Sequence, residues 1–442
     1  MPLLSLRRFF YLKPLTRAIA ITCGFCASSG VVQGAGFALN ESSVSAAGTA
    51  FAGRVAAPQD ASVIASNPGA ISFLEGEQWT VGGALVAPTG SVKVKSATSE
   101  LGLNLSSDGD GEPFTRSVFV PGVYYTMPLP NDLTFGLGLY VPFGLETDYD
   151  WDFAGRYLAL NSHLQNINLQ PTLSYRLSDT IGLGIGVFLS HIEGRLTQNK
   201  ISDTFRSEVV GDDVKMGVKL GALWNDGPYS FGIAWTSNVD FKVEGSVKIK
   251  GRFFGRINSK ADAHLKLKTP QMFELGGSCK IDDELTLVVG AMWTGWNSFK
   301  EIKVILDENL NVPGRVQKSG SVASYTPEHW KKVWSFSAGG RYQLNNEWQL
   351  RFGYAFDQSP VPDKYRTARI PDGDRNWITV GARYQMDKLW LVDMAYGYLI
   401  PYKIKVDEVA HSPDGTPGTN PSFKGKYTMS AHILMAALTY RY

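Results

Sequence analysis

Leu133-Thr134-Phe135-Gly136-Leu137-Gly138-Leu139-Tyr140-Val141 is the stretch that decides the fold. Large apolar residues hold the odd positions, and small or polar residues hold most of the even ones. A period of two is a strand with one face in an apolar phase. The same alternation runs through 181–189, 348–356 and 378–384. The strands around these runs have the roughly 9–11 residues that a tilted membrane strand needs. Working outward, the pattern predicts strands at 78–88, 116–127, 132–143, 164–177, 181–196, 211–225, 228–243, 262–280, 284–299, 331–344, 347–358, 374–387, 388–404 and 423–442. That makes fourteen, an even number that puts both chain termini on one side of the membrane.

Short turns such as Pro130-Asn131-Asp132 and Asn345-Asn346 alternate with long polar connections at 89–114, 197–210, 300–330 and 405–422. Short turns on one side and long loops on the other are the habit of outer-membrane barrels. Aromatics near strand ends, among them Tyr124, Tyr125, Trp293, Trp296, Trp334, Trp390, Tyr396 and Tyr398, fit interfacial girdles. The chain closes on Leu438-Thr439-Tyr440-Arg441-Tyr442, a terminal aromatic on alternating apolar residues.

Composition agrees. The chain has 442 residues, 44% of them hydrophobic, with 46 glycines and 3 cysteines. This excludes a disordered chain and a disulfide scaffold. Residues 1–34 carry Arg7, Arg8, Lys13 and Arg17, no acid, then a short apolar run and small residues. That is a secretory signal peptide, with cleavage expected after Gly34. Of the 43 basic residues four leave with it, so 39 face 41 acids in the mature chain. Nothing there points to nucleic acid. Cys279 alone remains, so no internal disulfide forms.

Residues 35–76 differ from the rest: they are rich in Ala, Ser and Gly, and they precede the first strand. A compact plug inside the barrel would bury them. Asn67-Pro68-Gly69 reads as a turn within it. The fold class is therefore all-β, a transmembrane 14-stranded antiparallel β-barrel with a small N-terminal hatch in its lumen. The domains are a signal peptide (1–34), the hatch (35–76) and the barrel (77–442).

The chain resembles the FadL/TodX family of outer-membrane transporters for long-chain fatty acids and other hydrophobic compounds. The resemblance rests on Ala35-Gly36-Phe37-Ala38-Leu39-Asn40-Glu41, on Asn67-Pro68-Gly69, and on Val141-Pro142-Phe143-Gly144-Leu145. It also rests on Leu267-Lys268-Thr269-Pro270, on Trp293-Thr294-Gly295-Trp296, and above all on 355–375. It implies passive uptake, with loops 145–163 and 300–330 capturing a greasy ligand. Phe37 would occupy the lumen pocket and move on binding, with Asp357 as a nearby lumen acid. The third strand would kink, and the ligand would leave sideways into the bilayer. Pro142 and Gly144 suit such a break, because proline cannot donate to a ladder and glycine brings no side chain. Gly69 stands where the family has alanine. The basic residues that meet a fatty carboxylate in the family are not clearly matched; His191 falls at one such place, and Arg351 and Arg383 could substitute.

No enzyme is expected. The six histidines are scattered without metal-ligand spacing, and no nucleophile elbow is present. No metal and no cofactor are expected. The expected state is a monomer in outer-membrane lipid and lipopolysaccharide, inserted by the barrel assembly machinery. The alternative reading is a general diffusion porin or a surface receptor or adhesin.

Overall fold

The computed structural model describes residues 36–112, 114–252, 256–312 and 314–442. The leader expected over 1–34 lies outside the described residues. The first half of the chain forms β1 (Gln78–Thr98), β2 (Val118–Leu129), β3 (Leu133–Asp148), β4 (Asn161–Arg176), β5 (Ile181–Lys200), β6 (Ser202–Asp226), β7 (Tyr229–Thr236) and β8 (Asp240–Arg252). Next come β9 (Arg256–Lys268), β10 (Met272–Lys280), β11 (Leu285–Thr294), β12 (Glu301–Leu306), β13 (Leu310–Val312) and β14 (Arg315–Gln317). The last six are β15 (Val322–Pro327), β16 (Val333–Gln343), β17 (Trp348–Asp357), β18 (Arg375–Gln385), β19 (Trp390–His411) and β20 (Pro417–Arg441).

β13 and β14 make a separate small hairpin, and the other eighteen strands form one sheet. Breaks of a few residues join β7 to β8, β9 to β10, β11 to β12 and β15 to β16. Among the described residues the wall therefore has fourteen staves. Neighbours are antiparallel throughout, and β1 pairs β20 from Gln78 opposite Arg441 to Thr98 opposite Ser422, which closes the ring. Glu77 and Tyr442 exchange backbone hydrogen bonds of 2.8 and 3.0 Å, so the chain end is tied where the barrel begins.

The alternation read from the sequence sets the two faces. Leu137, Phe231, Ile233, Phe352, Val380 and Leu434 are exposed on the outside. Their neighbours Gly136, Gly138, Gly232 and Gly353 face in. Cross-strand aromatic pairs gather near the short turns: Trp79 with Tyr125, Trp348 with Tyr384, and Trp390 with Tyr440, at 4.5–4.7 Å. Two of the aromatics expected in girdles turn inward instead. Tyr124 donates from its hydroxyl to the Ser42 carbonyl at 2.6 Å, and Trp296 is fully buried.

The short turns carry their own chemistry. Asn131 and Asp132 both have positive φ, which Asn and Asp adopt more readily than most residues, in the three-residue turn between Leu129 and Leu133. At the opposite end the strands are longer than the sequence pattern indicated. β5 and β6 run to a tight turn at Ile201, and β19 and β20 continue through most of 405–422. Beyond an apolar band the outer face no longer needs apolar residues. The hydropathy signal fades there, while backbone pairing continues.

Candidate functional site

Residues 36–76 supply the site. They form one helical turn, Val44–Ala47, capped by Ser43, and two 3-10 turns, Ala61–Ala65 and Pro68–Phe73. Each 3-10 turn is started by a side chain that takes a free backbone N–H: Asp60 accepts from Ser62 and Asn67 from Gly69, both at 2.9 Å. The segment touches inward positions right around the wall. A Cβ added to Gly184 would lie 2.3 Å from Pro68, one on Gly221 2.0 Å from Asn67, one on Gly232 1.9 Å from Val55, and one on Gly353 2.2 Å from Thr49. The wall glycines are thus seats for this segment. Val44, Ala47 and Ala50 pack with Ile433 and Met435, the inward apolar residues of β20.

Polar contacts fix it at the end of the short turns. Arg351 meets Asp393 at 2.6 Å and donates to Gln59 at 3.2 Å. Arg383 bridges Asp393 at 2.7 Å and Asp60 at 3.1 Å. The two arginines considered for a ligand carboxylate are therefore both occupied by acids of the wall and the N-terminal segment. Asn67 is fully buried and donates to the carbonyls of Val55 and Ala222 at 2.6 and 2.9 Å. Gly69 presses on β6, where a Cβ would come 2.6 Å from the Gly221 carbonyl.

Phe37 stands in an aromatic cage. Its ring centroid is 4.5 Å from Trp296, 5.4 Å from Phe299, 5.5 Å from Trp330 and 5.8 Å from Phe143. These edge-on and tilted contacts suit the ring quadrupoles. The Gly36 amide donates to Asp372 at 3.1 Å. Asp357 lies elsewhere along the segment. It accepts from the Trp377 indole at 2.8 Å and borders a small cavity with Asn40 and Arg54. Glu41 is nearby and buried, and burial raises its carboxyl to about 7, with Asp357 adding to the rise. His191 lies 3.8 Å from Asp212 and alternates with the buried Ser190 and Ile192, so it occupies an outward position.

Beside the cage the wall is interrupted. β2 pairs β3 only from Leu129 opposite Leu133 to Gly122 opposite Tyr140. Residues 118–121 of β2 pair with β1 alone. Beyond Tyr140, β3 bulges: Tyr140 faces Asn168, but Phe143 faces Asn166, which leaves Val141 and Pro142 against one residue of β4. The edge that β3 loses from β2 is taken by the N-terminal segment. Leu39 donates to the Pro142 carbonyl and Gly144 to the Phe37 carbonyl, both at 2.9 Å. Gly144 leaves the space that Leu39 occupies, since a Cβ there would be 3.1 Å from the Leu39 side chain.

Besides the small cavity at Asp357, three others are found among the described residues. A polar cavity of about 500 Å³ at the long-loop end is bordered by Tyr157, Leu158 and 322–327. Both loop regions expected to capture ligand contribute to it. A smaller apolar pocket of about 70 Å³ is lined by Phe37, Leu145, Leu164, Ile192, Leu267 and Ile302, among others. A third, of about 60 Å³, lies beyond Phe37 and is polar, with Pro142, Asn168, Lys219 and Arg54 in its lining. Sequence reasoning passed over Lys219 and the Arg54–Glu274 pair. Lys219 sits at an inward position between Gly217 and Gly221, and that was the available signal. No group of residues able to hold a metal is found among the described residues.

Residues 25–442 match the family described as outer membrane protein transport protein (OMPP1/FadL/TodX). A long-chain fatty acid transport protein of Escherichia coli K12 is 23% identical over 420 residues, covering 85% of this chain and 90% of that one. Outer membrane protein P1 of Haemophilus influenzae is 26% identical, covering 98% and 100%. A crystal structure of a Pseudomonas aeruginosa FadL homologue superposes with a TM-score of 0.80 at 22% identity, covering 92% and 100%. The Pseudomonas putida toluene transporter TodX gives a TM-score of 0.66 at 15% identity, covering 90% and 98%. The chain belongs to the OMPP1/FadL/TodX family and is an outer-membrane transport barrel rather than an enzyme.

Proposed function

We propose that this protein takes up hydrophobic compounds passively, long-chain fatty acids foremost and aromatic hydrocarbons as the other class. The observation that carries the reading is the double role of the N-terminal residues. Phe37 closes the apolar pocket, while its neighbours Ala38 and Leu39 stitch the break between β2 and β3. One displacement then opens the pocket and the wall together. In this reading 1–34 is the removed leader, 35–76 the hatch and 77–442 the barrel.

Size supports a moving Phe37. Pockets that bury a ligand hold about 300 Å³ or more. The apolar pocket is about 70 Å³, so a fatty tail needs the aromatic side chain to withdraw. The polar pinning of the hatch at the short-turn end argues against a straight path into the periplasm. A lateral exit at Pro142 also spares the solute a return to water, which costs about 25 cal/mol per Å² of apolar surface.

The test is a strain lacking this gene, complemented with it and supplied with radiolabelled oleate and, separately, toluene. Uptake of at least one is expected. Failure with both, in cells that assemble the barrel normally, would overturn the reading.

A further inference from the structure

The apolar pocket offers an anionic head group no cation that is not already paired with an acid. Its inward residues, such as Leu145, Leu164, Ile192 and Leu267, are hydrocarbon. His163, Glu193, His264 and Glu301 also border it, but both histidines are already engaged by acids, His163 with Glu146 at 3.0 Å and His264 with Asp307 at 2.8 Å. The polar pocket past Phe37 is different. It contains Arg54, Glu274 and Lys219. Arg54 and Glu274 bind each other through two contacts, at 2.5 and 3.0 Å, and cancel. Lys219 is left as the uncompensated charge. It is only 6% exposed, and its ammonium donates to the Ala65 carbonyl and lies 6.0 Å from the Tyr140 ring. An ammonium has three donors, and a buried charge is costly unless it is paired. Among the described residues no carboxylate lies within ion-pair distance of it.

We propose that Lys219 is the landing point for the carboxylate of an amphiphilic ligand. Such a ligand lies head inward, with its tail in the apolar pocket above. The two pockets are one register step apart on several strands: Phe143 and Leu145 on β3, Ser190 and Ile192 on β5, Thr269 and Leu267 at the end of β9. A step of two residues is about 7 Å, so one acyl chain spans both once Phe37 withdraws. Pro142 belongs to the polar pocket, which brings the held head group to the break in the wall. This rests on the uptake reading above and selects the carboxylate class within it.

Binding of radiolabelled oleate and of oleyl alcohol, its uncharged counterpart, to amphipol-held protein tests it, with empty amphipol as blank. Wild type should bind oleate more tightly than the alcohol. Lys219→Met should weaken oleate by about tenfold or more, as for loss of a buried charged hydrogen bond, with the alcohol changed less than about twofold. Lys219→Arg should retain the preference for oleate. Should Lys219→Met fail to assemble, Lys219→Gln, which keeps a donor for Ala65, gives the same comparison. Equal losses for both ligands would mark a structural role and overturn the proposal, as would oleate binding that ignores the substitution. Wild-type protein that binds both ligands equally overturns the proposal and leaves the uptake reading standing. Binding of neither ligand would overturn this proposal and confine the uptake reading to aromatic hydrocarbons.

Discussion

Phe37 packs on four aromatic rings that belong to separate parts of the chain, and its loss should be felt locally. Phe37→Ala removes a buried aromatic of the kind worth about 3–5 kcal/mol. The N-terminal strand should then leave β3 more often, read as faster hydrogen exchange at the Leu39 and Gly144 amides. Unchanged exchange would count against the cage as the latch. Glu41 acts on the same segment through protonation. Its folded value of about 7 lies above the ordinary 4.5 because burial disfavours the charge. Its contribution is therefore complete below about 4.5 and is lost as pH rises through 7. With the intrinsic base-catalysed rise divided out, protection of the 38–45 amides should fall between about pH 4.5 and 7 and level off above it, and Glu41→Gln should flatten that dependence. Gly69 makes a third case. Its Cβ position is filled by the Gly221 carbonyl, so Gly69→Ala should cost about 1–3 kcal/mol of hatch seating. Urea-dependent protection of 60–73 would read it.

At the scale of elements, the decisive unit is β3 with its substitute partner. Ala38 and Phe143 face each other between two flanking hydrogen bonds, the non-hydrogen-bonded arrangement in which side chains approach closely. That geometry suits a disulfide. In a Cys279→Ser background, Ala38→Cys with Phe143→Cys should cross-link on oxidation. Uptake should stop when oxidised and return on reduction; transport indifferent to the cross-link would refute a displaced N-terminal strand. The break itself was legible from Pro142 and Gly144, because those residue types fit a wall strand poorly. That residues 37–39 fill the break was not legible, since main-chain pairing leaves no mark on side-chain identity.

At the scale of the whole molecule, the barrel closes on itself through β1 and β20, and the N-terminal segment is held to its wall partly by charge. Arg383 joins the wall acid Asp393 to Asp60 of the N-terminal segment. Removing one partner of a buried pair costs about 3–5 kcal/mol, because the other charge is stranded. Arg383→Met should loosen the hatch and raise single-channel conductance in planar bilayers well above that of the wild type. A closed state that stays as tight would show that apolar packing on the wall glycines holds the hatch without help.

The alternation, the turn residues and the short-turn asymmetry determined the barrel and its fourteen staves, because period two and local turn chemistry are properties of neighbours in the chain. The small, apolar composition of 35–76 marked a segment apart for the same reason. Where that segment sits was decided by contacts far apart in sequence: glycines of distant strands emptied to receive it, arginines consumed by acids on other staves, and Lys219 left to the Ala65 carbonyl with no acid in ion-pair distance among the described residues. Arg351, Arg383 and Lys219 look alike in an alternating strand. Only the closed wall, which decides which acid reaches which base, separates the two that pair with Asp393 from the one left without an acid.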